Sequence, residues 1–119
     1  MPSAIKEVFQ LTADDTDLLA APSRLAAIPY NGYLTVEVSA TECNATNNFA
    51  ITINKPDGSQ PIEGQLVPAN GFTTSDNVMH DDTKLMFRFS ANQGGHFGIE
   101  MDETGTALAM VIVTLTPQR

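Results

Sequence analysis

The sequence has no tryptophan, one cysteine, and only six lysines and arginines against fourteen acids in 119 residues. Each shortage removes a class of explanation. With Cys43 alone no intrachain disulfide can form, so the fold must rest on its core and need not belong to an oxidising compartment. Cys43 lies between Glu42 and Asn44 with no histidine at a helpful spacing, which reads as an incidental small residue and not a nucleophile. A formal charge of −8 opposes binding to phosphate backbones and to anionic membranes, so neither nucleic acid nor membrane is an expected partner. Long apolar runs are missing too: the stretch Ala107 to Val113 falls far short of the roughly twenty residues of a membrane helix. Met1 to Leu11 carries no apolar segment of secretory type, so a soluble acidic protein used without export is expected.

Helix signals are equally scarce. "DDTDLLAAPSRLAAIP" (Asp14 to Pro29) holds good helix formers, and Asp17 could cap a short turn through Leu18 to Ala21, but Pro22 stops it. This region reads as an extended arm with short strands near Asp17 to Leu19 and Leu25 to Ile28.

What is present is strand pattern. Leu34, Val36 and Val38 alternate with Thr35, Glu37 and Ser39, and Phe49, Ile51 and Ile53 alternate with Ala50, Thr52 and Asn54. Leu85, Phe87 and Phe89 follow the same period, as do Phe97, Ile99 and Met101. Each stretch has one face for a core and one for water. Weaker strands are expected at Phe9 and Leu11 and at Ile62, Gly64 and Leu66. The punctuation is turn chemistry: Asn31-Gly32, Pro56-Asp57-Gly58, Asn70-Gly71 and Gly94-Gly95. A chain this long is one domain and hides about two thirds of its unfolded surface. The expected architecture is all-β: an antiparallel two-sheet β-sandwich, jelly-roll-like, with about eight or nine short strands. Residues 1–30 would form an N-terminal arm and the first strands, and residues 31–119 the sandwich core.

Candidate chemistry is sparse. His80-Asp81-Asp82 with His96 could in principle hold a metal, but adjacent residues of an extended chain point to opposite faces, and "NVMHDDTK" reads as a turn. Asp14, Asp15 and Asp17 suggest a calcium loop, yet Ala20 stands where an EF-hand starting at Asp15 needs glycine. Glu100, Asp102 and Glu103 could do acid–base work only with a facing carboxylate, and the alternation places Glu100 and Asp102 on a solvent face. Asn44-Ala45-Thr46 fits a glycosylation acceptor but reads as a polar loop, and Gly94-Gly95-His96 lacks the lysine and helix of a phosphate loop, so it reads as a hairpin turn. No Gly-x-Ser-x-Gly, His-Glu-x-x-His or Cys-x-x-Cys occurs. The expectation is a non-enzymatic protein with no catalytic residue, no metal and no cofactor.

The final segment breaks the alternation. Ala107, Ala109, Val111, Val113 and Leu115 are apolar, and so are Leu108, Met110 and Ile112 between them. A strand apolar on both faces needs a second cover, either the chain's own arm or another protein. Homo-oligomerisation is expected, with Leu108, Met110 and Ile112 at the interface and Leu18, Leu19, Leu25 and Ile28 contributing from the arm.

Taken together, "LLAAPSRLAAIPYNGYLTVEVSATECNATNNFAITINKPDGSQPIEG" and "QGGHFGIEMDETGTALAMVIVTLTP" resemble the small all-β cement or decoration proteins on the capsids of tailed bacteriophages. The resemblance spans roughly Leu18 to Pro117. It implies a trimeric sandwich made in the host cytoplasm and placed on the virion surface, bound between major capsid proteins, where it stiffens the head. No dedicated capsid-contacting segment can be identified. The alternative is a carbohydrate- or ligand-binding sandwich module, such as a phage fibre or tail component, with Tyr30 and Tyr33 around the Asn31-Gly32 turn as its platform.

Overall fold

Where branched and aromatic residues alternate with polar ones, the computed structural model has strands. It describes residues 3–41, 46–58, 72–73, 78–79, 84–105 and 107–118. Eight strands run through them: β1 (Ile5–Leu11), β2 (Gly32–Thr41), β3 (Asn48–Asn54), β4 (Phe72–Thr73), β5 (Val78–Met79), β6 (Lys84–Ala91), β7 (Gly98–Thr104) and β8 (Leu108–Pro117). They form two antiparallel four-stranded sheets, ordered β1-β8-β2-β6 and β4-β5-β3-β7. The expected strand around Ile62 to Leu66 lies outside the described residues.

The core lies between the sheets. Leu34, Val36 and Val38 of β2, Leu85 and Phe87 of β6, and Val111, Val113 and Leu115 of β8 point inward from the first sheet. Phe49, Ile51 and Ile53 of β3 meet them from the second, beside Ile99 and Met101 of β7. From β5 onward successive strands lie in opposite sheets, a jelly-roll-like connectivity. The Gly94-Gly95 turn, with Gly94 at φ +87°, is therefore a corner between sheets and not the hairpin that its composition suggests.

The arm is built into this plan. Asp15 and Met101 exchange backbone hydrogen bonds of 2.9 and 2.8 Å, and the Leu18 N–H donates to the Ile99 carbonyl at 2.9 Å. The arm thus lies along the outer edge of β7. The short strands expected at Asp17 to Leu19 and Leu25 to Ile28 are turns instead. Three successive i→i+3 bonds, from Ala20, Ser23 and Ala26 back to Asp17, Ala20 and Ser23, coil the chain between them. Ile28 then exchanges hydrogen bonds with the Gly94-Gly95 corner, its N–H to Gly95 and its carbonyl from Gly94. Leu18, Leu19, Leu25 and Ile28 enter the same core as the strands, so residue 30 marks no boundary in packing.

One side chain fastens the arm. Asp17 Oδ1 accepts from the N–H groups of Leu19 and Ile99, and Asp17 Oδ2 lies 2.6 Å from His96 Nε2. The other ring nitrogen, His96 Nδ1, lies 2.7 Å from the Ala26 carbonyl oxygen. Both nitrogens face acceptors, so the ring satisfies both only when it carries both protons. The hydrogen bond to the Asp17 carboxylate, with help from Ala26, raises the His96 pKa above its ordinary value despite some desolvation.

Two outcomes follow from this packing. Because the fold favours the charged ring, the clamp's contribution is fully present below the unfolded histidine pKa, about 6.5, and is lost as pH rises through the higher folded value. The urea midpoint should therefore fall between pH 6 and 8.5, beyond the change seen in Asp17→Asn, and the His96 ring proton resonance should titrate lower in that variant. Separately, a Cβ on Gly32 would run into the Thr116 carbonyl of the neighbouring strand. Backbone must move to admit it, so Gly32→Ala should cost about 1–3 kcal/mol in denaturant titration.

Candidate functional site

The outer face of the first sheet carries its exposed apolar side chains. Period 2 and the strand register lay them out in rows: Val8–Ile112–Glu37–Met86, then Gln10–Met110–Ser39–Lys84, with Lys6–Thr114–Thr35–Arg88 on the other side of the first row. Leu108 lies beside Thr41 at the end of β8. Val8 is 53% exposed, Leu108 40% and Met110 37%, while Ile112 is half-buried. Between Leu108, Met110, Gln10, Thr12, Ser39 and Thr41 runs a groove of about 370 Å³ with largely apolar walls.

The arm does not cover this face. It crosses to β7, and its four large apolar residues are no more than 5% exposed. Leu18, Leu19, Leu25 and Ile28 are therefore corrected as self-association residues, because their surface is spent inside their own core. The outer side of β8 is shaded instead by its neighbours, since β8 lies between β1 and β2. Leu108 and Met110 stay accessible. Val8 was missed from sequence, although the inward turn of Phe9 and Leu11 in a period-2 strand already sends Val8 outward.

The tyrosines do not form a platform. Tyr30 is half-buried, and its hydroxyl reaches the backbone carbonyls of Ser3 and Leu115 at 2.7 and 3.2 Å. Tyr33 is exposed on the outer face, with the Arg88 guanidinium 4.7 Å from its ring centroid, so one ring face is occupied.

The remaining candidates have structural duties where they are described. Asp15 Oδ1 accepts from the Asp17 N–H, and Asp14 Oδ1 from the Glu103 N–H. Glu100 and Asp102 lie on the outer side of β7, opposite the inward Ile99 and Met101. Among the described residues no group of three His, Cys, Asp or Glu side chains is arranged to hold a metal. His96 is committed to Asp17 and Ala26. His80, Asp81, Asp82, Cys43 and Asn44 lie outside the described residues. Glu7, on the inner side of β1, accepts from the Ser23 hydroxyl and the Arg24 N–H. Chiefly that backbone hydrogen bond holds its carboxyl below the usual glutamate range. Arg24 also donates to the Lys6 carbonyl, covering part of the free edge of β1.

No protein-family model matches this chain, and no curated protein matches it in sequence. Among solved structures it is similar to the SPBc2 prophage-derived protein YomS, at 10% identity and a TM-score of 0.46, covering 98% of this chain and 97% of that one. It is also similar to the C-terminal CBM6 domain of LamC from Zobellia galactanivorans, at 13% identity and a TM-score of 0.42, covering 94% of this chain and 99% of that one. A third similarity is to Eiger TNF from S. frugiperda, at 9% identity and a TM-score of 0.41, covering 98% of this chain and 92% of that one. Likenesses this distant carry no argument about what the chain does.

Proposed function

We propose that this chain is a non-enzymatic virion structural protein, a cement or decoration subunit that associates with copies of itself and binds between major capsid proteins. The observation that carries the reading is the outer row of β8. Leu108 and Met110 stay open beside Val8 while Leu18, Leu19, Leu25 and Ile28 of the arm are taken up by the chain's own core. Exposed apolar side chains that adjoin one another mark contact surfaces.

The size of the effect sets the form of the contact. Val8, Leu108 and Met110 are already partly shaded, so covering what remains is worth roughly 1 kcal/mol each. Association costs about 4–15 kcal/mol in lost freedom, so these residues cannot drive it alone. The contact has to spread over the sheet face, drawing in Ile112, Met86 and the threonines and serines around them. In a shell, many such contacts on each subunit lower the free energy of the assembled particle relative to its parts.

The test has two arms. Light scattering at micromolar concentration should report a mass that is a multiple of 12.8 kDa. Met110→Asp and Leu108→Asp should return it to a single copy without lowering the urea midpoint, because neither residue lies in the core. Co-sedimentation with expanded phage capsids should be retained by the wild-type chain and increase capsid resistance to heat. A chain that never sediments with capsids ends the cement reading.

A further inference from the structure

The bases of this chain are not spread evenly. Lys6, Lys84 and Arg88, three of the six lysines and arginines, lie on the outer face of the first sheet around the apolar row. Only Glu37 opposes them on that face among the described residues. None of the three makes an ion pair with a described carboxylate. The outer side of β3 and β7 in the second sheet is the converse. There Glu100 and Asp102 of β7 stand beside the small Ala50 and Thr52 of β3, and Asp14 of the arm lies alongside. Glu100 and Asp102 also lack an ion-pair partner among the described residues.

A two-fold contact would place the first-sheet face against itself, setting a face that carries Lys6, Lys84 and Arg88 against one that carries the same three bases. Like charges set face to face cost several kcal/mol, enough to offset what the exposed apolar row returns. A head-to-tail contact has the opposite sign. We infer that the apolar face of the first sheet, rimmed by Lys6 and Lys84, docks on the acidic outer side of β7 in a second copy of this chain. This rests on the self-association put forward above and specifies its geometry. The receiving surface suits the role: Ala50 and Thr52 leave it shallow, and the carboxylates of Glu100 and Asp102 stand at its edge. A head-to-tail contact uses two different patches, so it closes into a ring or runs on as a filament and does not stop at a two-fold dimer.

Charge reversal on the full-length chain separates the geometries. In the pair Lys6→Glu with Lys84→Glu, and in the pair Glu100→Lys with Asp102→Lys, self-association measured by sedimentation should weaken about tenfold or more. Combining all four substitutions in one chain should recover it to within about threefold of wild type, because both patches then carry the opposite sign. Far-UV circular dichroism and urea midpoints check folding. Should the lysine pair at β7 misfold, the neutral pair Glu100→Gln with Asp102→Asn should still weaken association. Wild-type association left unchanged by either β7 pair, no recovery in the four-site variant, or a wild-type chain that stays single at micromolar concentration would each overturn the head-to-tail contact. The cement reading is judged apart, by sedimentation with capsids, and stands or falls on that measurement.

Discussion

The Asp17 carboxylate joins the arm to the stretch from His96 to Ile99, with partners 79 and 82 residues further along the chain. One oxygen orders the turn that begins the arm and reaches the backbone of β7, and the other meets His96 at the corner between β6 and β7. Without that junction the polar contacts along β7 would be the backbone bonds of Asp15 and Leu18 and the Asp14 carboxylate on the Glu103 N–H. Four large apolar side chains, Leu18, Leu19, Leu25 and Ile28, depend on its path for their place in the core. Burying each is worth about 1.5–3 kcal/mol, so the polar clamp matters mainly through the apolar residues that it positions.

With the arm drawn to β7, the outer side of β8 is left to its own sheet. Flanking strands shade a central strand even where no second layer exists, which explains why Ile112 is half-buried and Leu108, at the strand's end, is not. The seven-residue apolar run therefore asks less of a partner than its composition suggests. It does not ask for nothing. Val8, Leu108 and Met110 are exposed on one face of the first sheet, and the arm does not cover them.

Electrostatics shapes that face further. In a chain of net charge −8, concentrating half of the bases on one sheet lessens the repulsion that a second copy would meet there. The same segregation distinguishes one side of the sandwich from the other. Two unlike faces give the molecule a direction, which a head-to-tail contact requires.

The strands were legible in the sequence because a period of two is a local property. Leu34, Val36 and Val38, or Phe49, Ile51 and Ile53, announce both the strand and its buried face within a few residues. The two-sheet architecture was legible for the same reason, since each such strand has one face to hide. Where the arm packs was not legible. Its residues are apolar whether they cover their own core or a neighbour's, and the Asp17–His96 contact that decides between these joins positions 79 apart. Nor could the hairpin reading of Gly94-Gly95 be tested locally, because a turn's residues set its φ angles and not which sheet receives the next strand. Sequence alone determined that this chain makes strands with one greasy face and carries an excess of acid. Tertiary structure decided which greasy residues remained outside and where the few bases gathered, because both depend on which strands lie side by side.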